Sequence, residues 1–259
     1  ATYIVSNGDY PAEPEPNYFV FQRRDTITDA PQVLENEFIR AEFDSRTMEI
    51  VSLTDKQTGC RLIERPAAMF QLIRENPRHG MTSWRVGEIM SCENLNESCA
   101  VRRLGERFND LQSELDYEIG FSRSKLKVTV RLPKHGRGLI FDVCCDWLET
   151  PVEGAFVPQL RFAVPVAYDV RHSRSDIPMG DIDRPTLAHD VPCTGGFRLC
   201  GDGGADILLC SDSKYAYRAW DNVGSVTLLR SSYDPDPFPE LGQHRMSLCV
   251  GVVHSTAEA

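Results

Sequence analysis

The stretch that decides the fold runs from Ser211 to Val250 and reads SDSKYAYRAWDNVGSVTLLRSSYDPDPFPELGQHRMSLCV. Short runs rich in Val, Leu, Tyr and Thr alternate in it with turn residues, which is typical of antiparallel β structure. We predict strands at Asp206–Cys210, around Tyr215–Tyr217, at Ser225–Leu229 and at His244–Val252. A proline-broken loop precedes the last of these strands.

The same pattern continues upstream. We interpret Leu34–Asp44 as a single strand whose alternation separates two faces, Ile39, Ala41 and Phe43 on one and Phe38, Arg40 and Glu42 on the other. Further strands are predicted at Ser124–Leu132, Ile140–Leu148 and Gln159–Val166. The chain is therefore predicted to be all-β, a large antiparallel β-sandwich of the supersandwich type with long loops.

Length and proline positions suggest the domain organisation. The 259 residues are enough to bury a sizeable core. Residues 1–31 contain Pro11, Pro14 and Pro16 among acidic residues, and proline cannot donate to a sheet ladder. We predict a linker or edge segment over residues 1–31 and the sandwich domain over residues 32–259.

Composition excludes several classes of function. The formal charge of −10 argues against a nucleic-acid surface, which needs a basic stripe. No apolar run approaches the roughly 18 residues of a membrane span, and no signal peptide is recognisable. The nine cysteines include no CxxC pair, which indicates small buried side chains in a reducing compartment rather than a disulfide framework. We expect a cytoplasmic protein, although the chain begins with Ala and targeting information could lie elsewhere.

Ordered motifs resemble one known family. Within the opening stretch, DSKYAY, LLRS, DPDP and GQH follow one another, and residues 34–59 resemble the pattern LENxFxRxxFDxxTGxIxSLxDKxTG. QLRFAVPV and DIDRP add matches between them. The order of these motifs resembles the C-terminal β-sandwich region of glycoside hydrolase family 38, the retaining α-mannosidases, over about residues 33–252.

The resemblance implies that the catalytic residues lie on a different domain from the sandwich. In that family an N-terminal α/β barrel carries the zinc ligands and the aspartate nucleophile, and this chain shows no such pattern before residue 34. The resemblance thus implies that this chain holds no catalytic residue, cofactor or metal, and that zinc belongs to the absent catalytic domain. It also implies two partners, that barrel and a mannose-containing glycan. The sequence leaves open whether the chain associates with itself, and neither nucleic acid nor a membrane is expected as a partner.

Two loops are candidates for proximity to substrate. The family's WDAWD-like loop aligns with residues 76–88, where only Trp84 remains of the aromatic and acidic pattern. Trp84 could pack in a core or interface, or stack on a sugar face. A long irregular stretch after Asp176 is the second loop. The candidates are Trp84, Asp181, Arg184, His189 and Asp190.

Carboxylates invite other interpretations. Asp181, Asp183, His189 and Asp190 could hold zinc, but salt bridges and turn hydrogen bonds are the simpler alternative. A loop with Asp234, Asp236 and Glu240 could hold calcium, or its prolines could report only a rigid turn. Asp142 and Asp146 share a strand face about 13 Å apart. A retaining glycosidase needs its two carboxyl groups about 5–5.5 Å apart, so a solvated sheet face is predicted there.

Three functional hypotheses follow. The first is the non-catalytic C-terminal portion of an α-mannosidase-like enzyme, which helps to frame the sugar cleft. The second is a carbohydrate-binding module that uses exposed aromatic side chains such as Trp84, Tyr215, Trp220 or Tyr233. The third is a sandwich epimerase, for which only His189 or His244 could serve in proton transfer.

Overall fold

A computed structural model describes residues 22–24 and 32–254 of the chain. In this part, twenty strands and one short helix form, in the following order. They are β1 (Gln22–Arg24), β2 (Gln32–Glu35), β3 (Ile39–Phe43), β4 (Ile50–Asp55), β5 (Arg61–Ile63), β6 (Met69–Glu75), β7 (Ile89–Asn94), α1 (Leu95–Ser98), β8 (Val101–Phe108), β9 (Gln112–Phe121), β10 (Ser124–Pro133), β11 (Gly138–Trp147), β12 (Val157–Pro165), β13 (His172–Ile177), β14 (Gly180–Pro185), β15 (Val191–Pro192), β16 (Phe197–Cys200), β17 (Ala205–Ser211), β18 (Ala216–Trp220), β19 (Val223–Arg230) and β20 (Gly242–His254).

The strands form three antiparallel sheets, which confirms the all-β prediction. A ten-stranded sheet has the order β1-β8-β9-β10-β11-β20-β17-β16-β13-β14, and a six-stranded sheet has the order β15-β18-β19-β12-β6-β7. The third sheet has four strands in sequence order, β2-β3-β4-β5. Strands distant in sequence thus become neighbours, as β12 does with β6 and β19.

The two larger sheets pack face to face around one core. Phe141 on β11 meets Phe162 on β12 with ring centroids 5.1 Å apart. Phe197 on β16 stacks on Tyr217 of β18 at 5.2 Å. Every residue of β12 is buried, and β12 is an interior strand of the six-stranded sheet. Burial of these aromatic rings is a main source of stability in such a core.

The four-stranded sheet begins with a hairpin, so the prediction of one continuous strand over Leu34–Asp44 was wrong. Asn36 ends β2 because its side-chain Oδ1 accepts hydrogen bonds from the backbone N–H groups of Phe38 and Ile39, at 2.8 and 2.9 Å. Its Nδ2 donates to the carbonyl oxygens of Pro133 and Gly136. Asparagine favours such turns because its side chain competes for backbone groups.

The stretch after Asp176 is more regular than predicted. Instead of a long irregular segment, β13 and β14 form a hairpin in which Asp176 faces Asp181 and Ser173 faces Arg184. Met179, at the turn, has a φ of 69°, and Gly180 follows it. Irregular structure is confined to the segment from residue 186 to β15. The sequence prediction missed the hairpin because its strands are polar and lie at the sheet edge, without a buried alternating face.

The N-terminal boundary is partly described. Gln22–Arg24 lies inside the predicted linker or edge segment and forms the edge strand β1, paired with β8. The rest of residues 1–31, and residues 255–259, lie outside the described part. The helix α1 has four residues, whereas a bilayer-spanning helix needs about 20. None of the helical structure in the described ranges could therefore cross a membrane.

Candidate functional site

Four connecting segments meet at one end of the six-stranded sheet, and we call this region the loop end. It comprises residues 76–88, 148–156, 212–215 and 231–241. The sheet register brings them together because Glu75 pairs with Val157, and Arg230 pairs with Gln159. Below them, the buried Trp147 donates from Nε1 to Ser231 Oγ at 2.7 Å, which anchors the start of the 231–241 segment to the core.

Hydrogen bonds join the 76–88 and 231–241 segments. Thr82 Oγ1 accepts from the backbone N–H groups of Tyr233 and Asp234, both at 3.0 Å. In return, Asp234 Oδ2 accepts from the N–H of Met81 at 2.7 Å. The Tyr233 hydroxyl also accepts from the N–H of Gly154 at 3.3 Å. Three segments distant in sequence are therefore held as one unit.

Arg230 is the central side chain of the loop end. Its guanidinium pairs with both carboxylate oxygens of Glu75, at 2.8 to 3.1 Å, and donates to the carbonyl oxygens of Thr82 and Arg85. Glu75 is 1% exposed and also accepts from Gln159 Nε2 at 3.1 Å. A buried carboxylate needs such partners, because burial without them is costly.

Two open depressions flank Arg230. One, of about 450 Å³, is lined by the 76–87 segment together with Val157. The other, of about 410 Å³, is lined by Asp190, Tyr215 and Thr227, among others. Because Arg230 lines both, the structure places the loop of Trp84 and the candidate Asp190 on either side of one arginine.

Exposed apolar side chains concentrate at the loop end. Of the fifteen large hydrophobic residues classed as exposed in the described part of the chain, ten lie on these segments or directly beside them. Trp84 is 72% exposed, Phe238 81% and Tyr215 60%. The others are Met81, Val86, Ile89, Met90, Leu148, Val152 and Leu241. Such a concentration marks an interaction surface, since scattered single residues would need no explanation.

Asp190 is held in a fixed position. Its carboxylate accepts from Arg218 Nε at 2.9 Å and from Thr227 Oγ1 at 2.6 Å. Both Asp190 and Arg218 are largely buried. This carboxylate is therefore occupied by its own sheet and serves to orient the neighbouring arginine.

The remaining candidates lie on other elements. Asp181 and Arg184 lie on the edge strand β14 of the other large sheet. Arg174 pairs with the exposed Asp181, and its hydrogen bond lowers the pKa of that carboxyl below the usual value. His189 is exposed beside Asp190. Of the five predicted residues, the structure brings only Asp190 and the loop of Trp84 next to the same arginine.

Sequence reasoning missed Glu75, Gln159, Arg161 and Arg230. Each stands within or at the end of an otherwise apolar strand, in FQLIRE, QLRFAV or VTLLR. A charged residue at such a position indicates a buried ion pair, because charged residues are almost never fully buried unless they are paired. Their partners could not be identified because the pairing strands are far apart in sequence.

The proposed metal ligands have other partners. No group of three or more His, Cys, Asp or Glu side chains that could hold a metal occurs in the described ranges. Asp181 pairs with Arg174, and Asp190 with Arg218. In the suggested calcium loop, Asp234 and Asp236 accept backbone N–H groups of Met81 and Phe238. The described side chains therefore do not fit a zinc site.

Comparison with known protein families identifies the family of this architecture. Residues 34–238 match the family described as the glycosyl hydrolases family 38 C-terminal domain. This chain belongs to that family. The match covers most of the sandwich, including the loop end up to Phe238, and it confirms the resemblance found in the motifs. No curated protein sequence matches this family 38 domain.

Solved structures share the fold of this family 38 domain. It resembles an alpha-mannosidase from Enterococcus faecalis V583 with a TM-score of 0.69 and 12% identity, over 86% of this chain and 29% of the other. A glycosyl hydrolase family 38 protein from Enterococcus faecalis gives 0.68 and 13%, over 86% and 30%. A 4-alpha-glucanotransferase from Thermococcus litoralis gives 0.52 and 11%, over 90% and 40%. The chain thus spans less than a third of the two family 38 proteins.

Proposed function

We propose that this chain is the non-catalytic C-terminal sandwich of an α-mannosidase-like glycoside hydrolase, and that its loop end packs against the catalytic barrel and helps to frame the sugar cleft. In this proposal, zinc-dependent retaining hydrolysis of α-mannosides takes place on the barrel. The exposed apolar surface at the loop end is the observation that carries the proposal, because concentrated apolar exposure of this kind is typical of a surface that contacts another protein surface.

The length of the family 38 relatives supports the choice of partner. More than two thirds of each Enterococcus protein lies outside the region that this chain matches. In this proposal the remainder includes the barrel, which packs on a contact surface of the sandwich. The loop end offers that surface beside a polar centre, Arg230, that could face a cleft.

The first test is enzymatic. The purified chain should not hydrolyse an aryl α-mannoside and should not retain stoichiometric zinc after dialysis, since its described side chains offer no ligand cluster. The parallel control is a full-length family 38 α-mannosidase under the same conditions. Turnover by the chain alone would contradict its non-catalytic role.

A second candidate function is a carbohydrate-binding module. The observation in its favour is that Trp84 and Tyr215 are more than half exposed on the rim of the loop end, where an aromatic ring could stack on a sugar. Titration of the chain with mannose oligosaccharides should leave its tryptophan fluorescence unchanged if the sugar is bound only together with the barrel. A saturable change that is lost in Trp84→Ala would favour the module instead.

The cysteines support a proposed cytoplasmic location. All nine are free in the structure. Burial raises the pKa of Cys145 and of Cys249 to about 12, so these thiols stay protonated and unreactive at neutral pH. Fractionation of the producing cells, with the chain detected by antibody, tests the location.

A further inference from the structure

Arg161 is a buried arginine without an ionic partner. It lies in the middle of β12, on the outer face of the six-stranded sheet, opposite Gln71 of β6 and Thr227 of β19. The side chain is 7% exposed. Its one hydrogen bond in the described part of the chain runs from Nη2 to Gln159 Oε1 at 3.1 Å, and its Nε is buried with no acceptor.

The nearby carboxylates are already paired. Asp190 forms its ion pair with Arg218, and Glu75 forms its ion pair with Arg230. Neither carboxylate comes within ion-pair distance of Arg161 among the described residues. Three guanidinium groups on adjacent strands therefore face two carboxylates, in a chain whose overall charge is −10. The unbalanced positive charge belongs to Arg161.

Burying an unpaired charge is expensive. Burial lowers the pKa of Arg161 below its ordinary value and the charge of Arg218 lowers it further, while the charges of Asp190 and Glu75 offset part of this effect. A protein gains nothing in stability from such a group, and an apolar residue of similar volume in the place of a buried charge is often neutral or stabilising. A group outside the described chain could supply acceptor oxygens to this guanidinium.

We propose that Arg161 is the anchor of an anion-binding subsite on the outer face of the six-stranded sheet, which takes a carboxylate or a phosphate group. Arginine suits both, because its forked N–H donors match their oxygens in bidentate geometry. Thr227, the β19 partner of Arg161, lines the depression of about 410 Å³ together with Asp190 and Arg230. The anion can belong to a charged sugar or to an acidic side chain of a packed neighbour.

The test measures thermal unfolding of the purified chain with increasing inorganic phosphate, against sodium chloride of equal ionic strength. Phosphate should raise the Tm of the wild type, and above the Kd the rise should follow the logarithm of the phosphate concentration. Arg161→Met should abolish that rise, yet its Tm without phosphate should equal or exceed that of the wild type. Arg171→Met removes an exposed arginine paired with Asp202 and should keep the phosphate effect.

Three outcomes of the Tm measurement would overturn the proposal. One is a wild type whose Tm rises no more with phosphate than with sodium chloride. Another is an Arg161→Met variant that keeps the phosphate effect. The third is a variant that loses stability without anion, which would assign Arg161 a structural role. Because a variant could fail to fold, the wild type gives a second readout through Cys92, an exposed cysteine.

The Cys92 residue is exposed, but its thiol is partly shielded from water, which raises its pKa, and the charge of Arg161 opposes that rise. Phosphate at Arg161 would neutralise this charge and should slow alkylation of Cys92, followed by mass spectrometry of each cysteine peptide. Cys60, which precedes β5 and whose thiol lies 3.4 Å from the carbonyl oxygen of Gly203, is the internal control and should react at an unchanged rate. An unchanged rate at Cys92 would contradict binding at Arg161.

Paired ligands distinguish the sources of the anion. Glucose 6-phosphate and glucose differ only by the phosphate, so only the former should raise the Tm. If it acts at lower concentration than inorganic phosphate, a charged sugar is the source. If N-acetylglutamate amide acts at lower concentration than both, the source is an acidic side chain. The test needs the chain alone, so its result does not depend on the proposed contact with a barrel.

Discussion

At the residue scale, Arg230 determines whether the loop end holds together. It neutralises Glu75, which is 1% exposed, and it donates hydrogen bonds to the carbonyl oxygens of Thr82 and Arg85. Removing one partner of a buried ion pair costs about 3–5 kcal/mol, because the other charge remains buried without compensation. We expect Arg230→Met to lower the free energy of unfolding by about that amount in urea denaturation.

The control for Arg230 is built from the same pair. In the double variant Glu75→Gln with Arg230→Met, both charges are removed, and we expect a large part of the loss to be recovered. Arg171→Met, at an exposed pair, should change stability by about 1 kcal/mol or less. If Arg230→Met were as mild as Arg171→Met, the central role assigned to Arg230 would be wrong.

Asp44 should make the free energy of unfolding of the chain depend measurably on pH in the acidic range. Its carboxylate accepts the backbone N–H groups of Thr47 and Arg46, both at 2.8 Å, and the bond from Thr47 contributes most to lowering the pKa of Asp44. Since the folded-state pKa lies below the unfolded value of about 3.9, the stabilisation is complete above that value and is lost as the pH falls through the folded pKa.

The comparison of wild type with Asp44→Asn isolates this charge, because asparagine keeps a side-chain oxygen for the same turn. The wild type should be more stable by a constant margin above about pH 6, and the margin should shrink below about pH 4. Urea unfolding at several pH values measures it. A margin that grows on acidification would have the opposite sign and would contradict the assignment.

At the scale of elements, the two large sheets meet so closely that one strand position on β19 requires glycine. A Cβ atom on Gly224 would lie 2.6 Å from Leu199 Cδ1 and 2.9 Å from Leu209 Cδ1, both side chains of the opposite sheet. Gly224→Ala should therefore cost about 1–3 kcal/mol, as overpacking of a core does.

The matched control is Gly120→Ala, also within a strand, where a Cβ would meet no atom within 4 Å. We expect it to be neutral or slightly stabilising, because alanine restricts the unfolded chain. Chemical denaturation of both variants measures the difference. Equal effects at the two positions would show that sheet packing at Gly224 is not the cause.

At the scale of the whole molecule, the loop end should make the isolated chain associate with itself. Its exposed apolar residues, above all Trp84 and Phe238, would find a substitute partner in a second copy. Trp84→Ser combined with Phe238→Ser should lower the weight-average mass measured by analytical ultracentrifugation at high concentration. Met179→Ser with Ile182→Ser, exposed residues on the β13–β14 hairpin of the other large sheet, should leave it unchanged.

Much of the architecture was readable in the sequence because its signals are local. The strands predicted at Ser124–Leu132 and Ile140–Leu148 correspond to β10 and β11, and Asp142 and Asp146 lie on the less buried face of β11, as predicted. The order of the motifs indicated the family. Errors arose where local signals were weak, at the polar hairpin β13–β14, or where one side chain, Asn36, redirected the chain.

The sequence by itself determined that this chain forms short antiparallel strands with a buried and an exposed face, because side-chain alternation and turn chemistry act within a few residues. Only the tertiary structure decided which charges meet. Glu75, Arg161 and Arg230 lie on three different strands, and they become neighbours because β12 pairs with both β6 and β19. Such pairing depends on how whole sheet faces are buried together, and that information is spread over the entire chain.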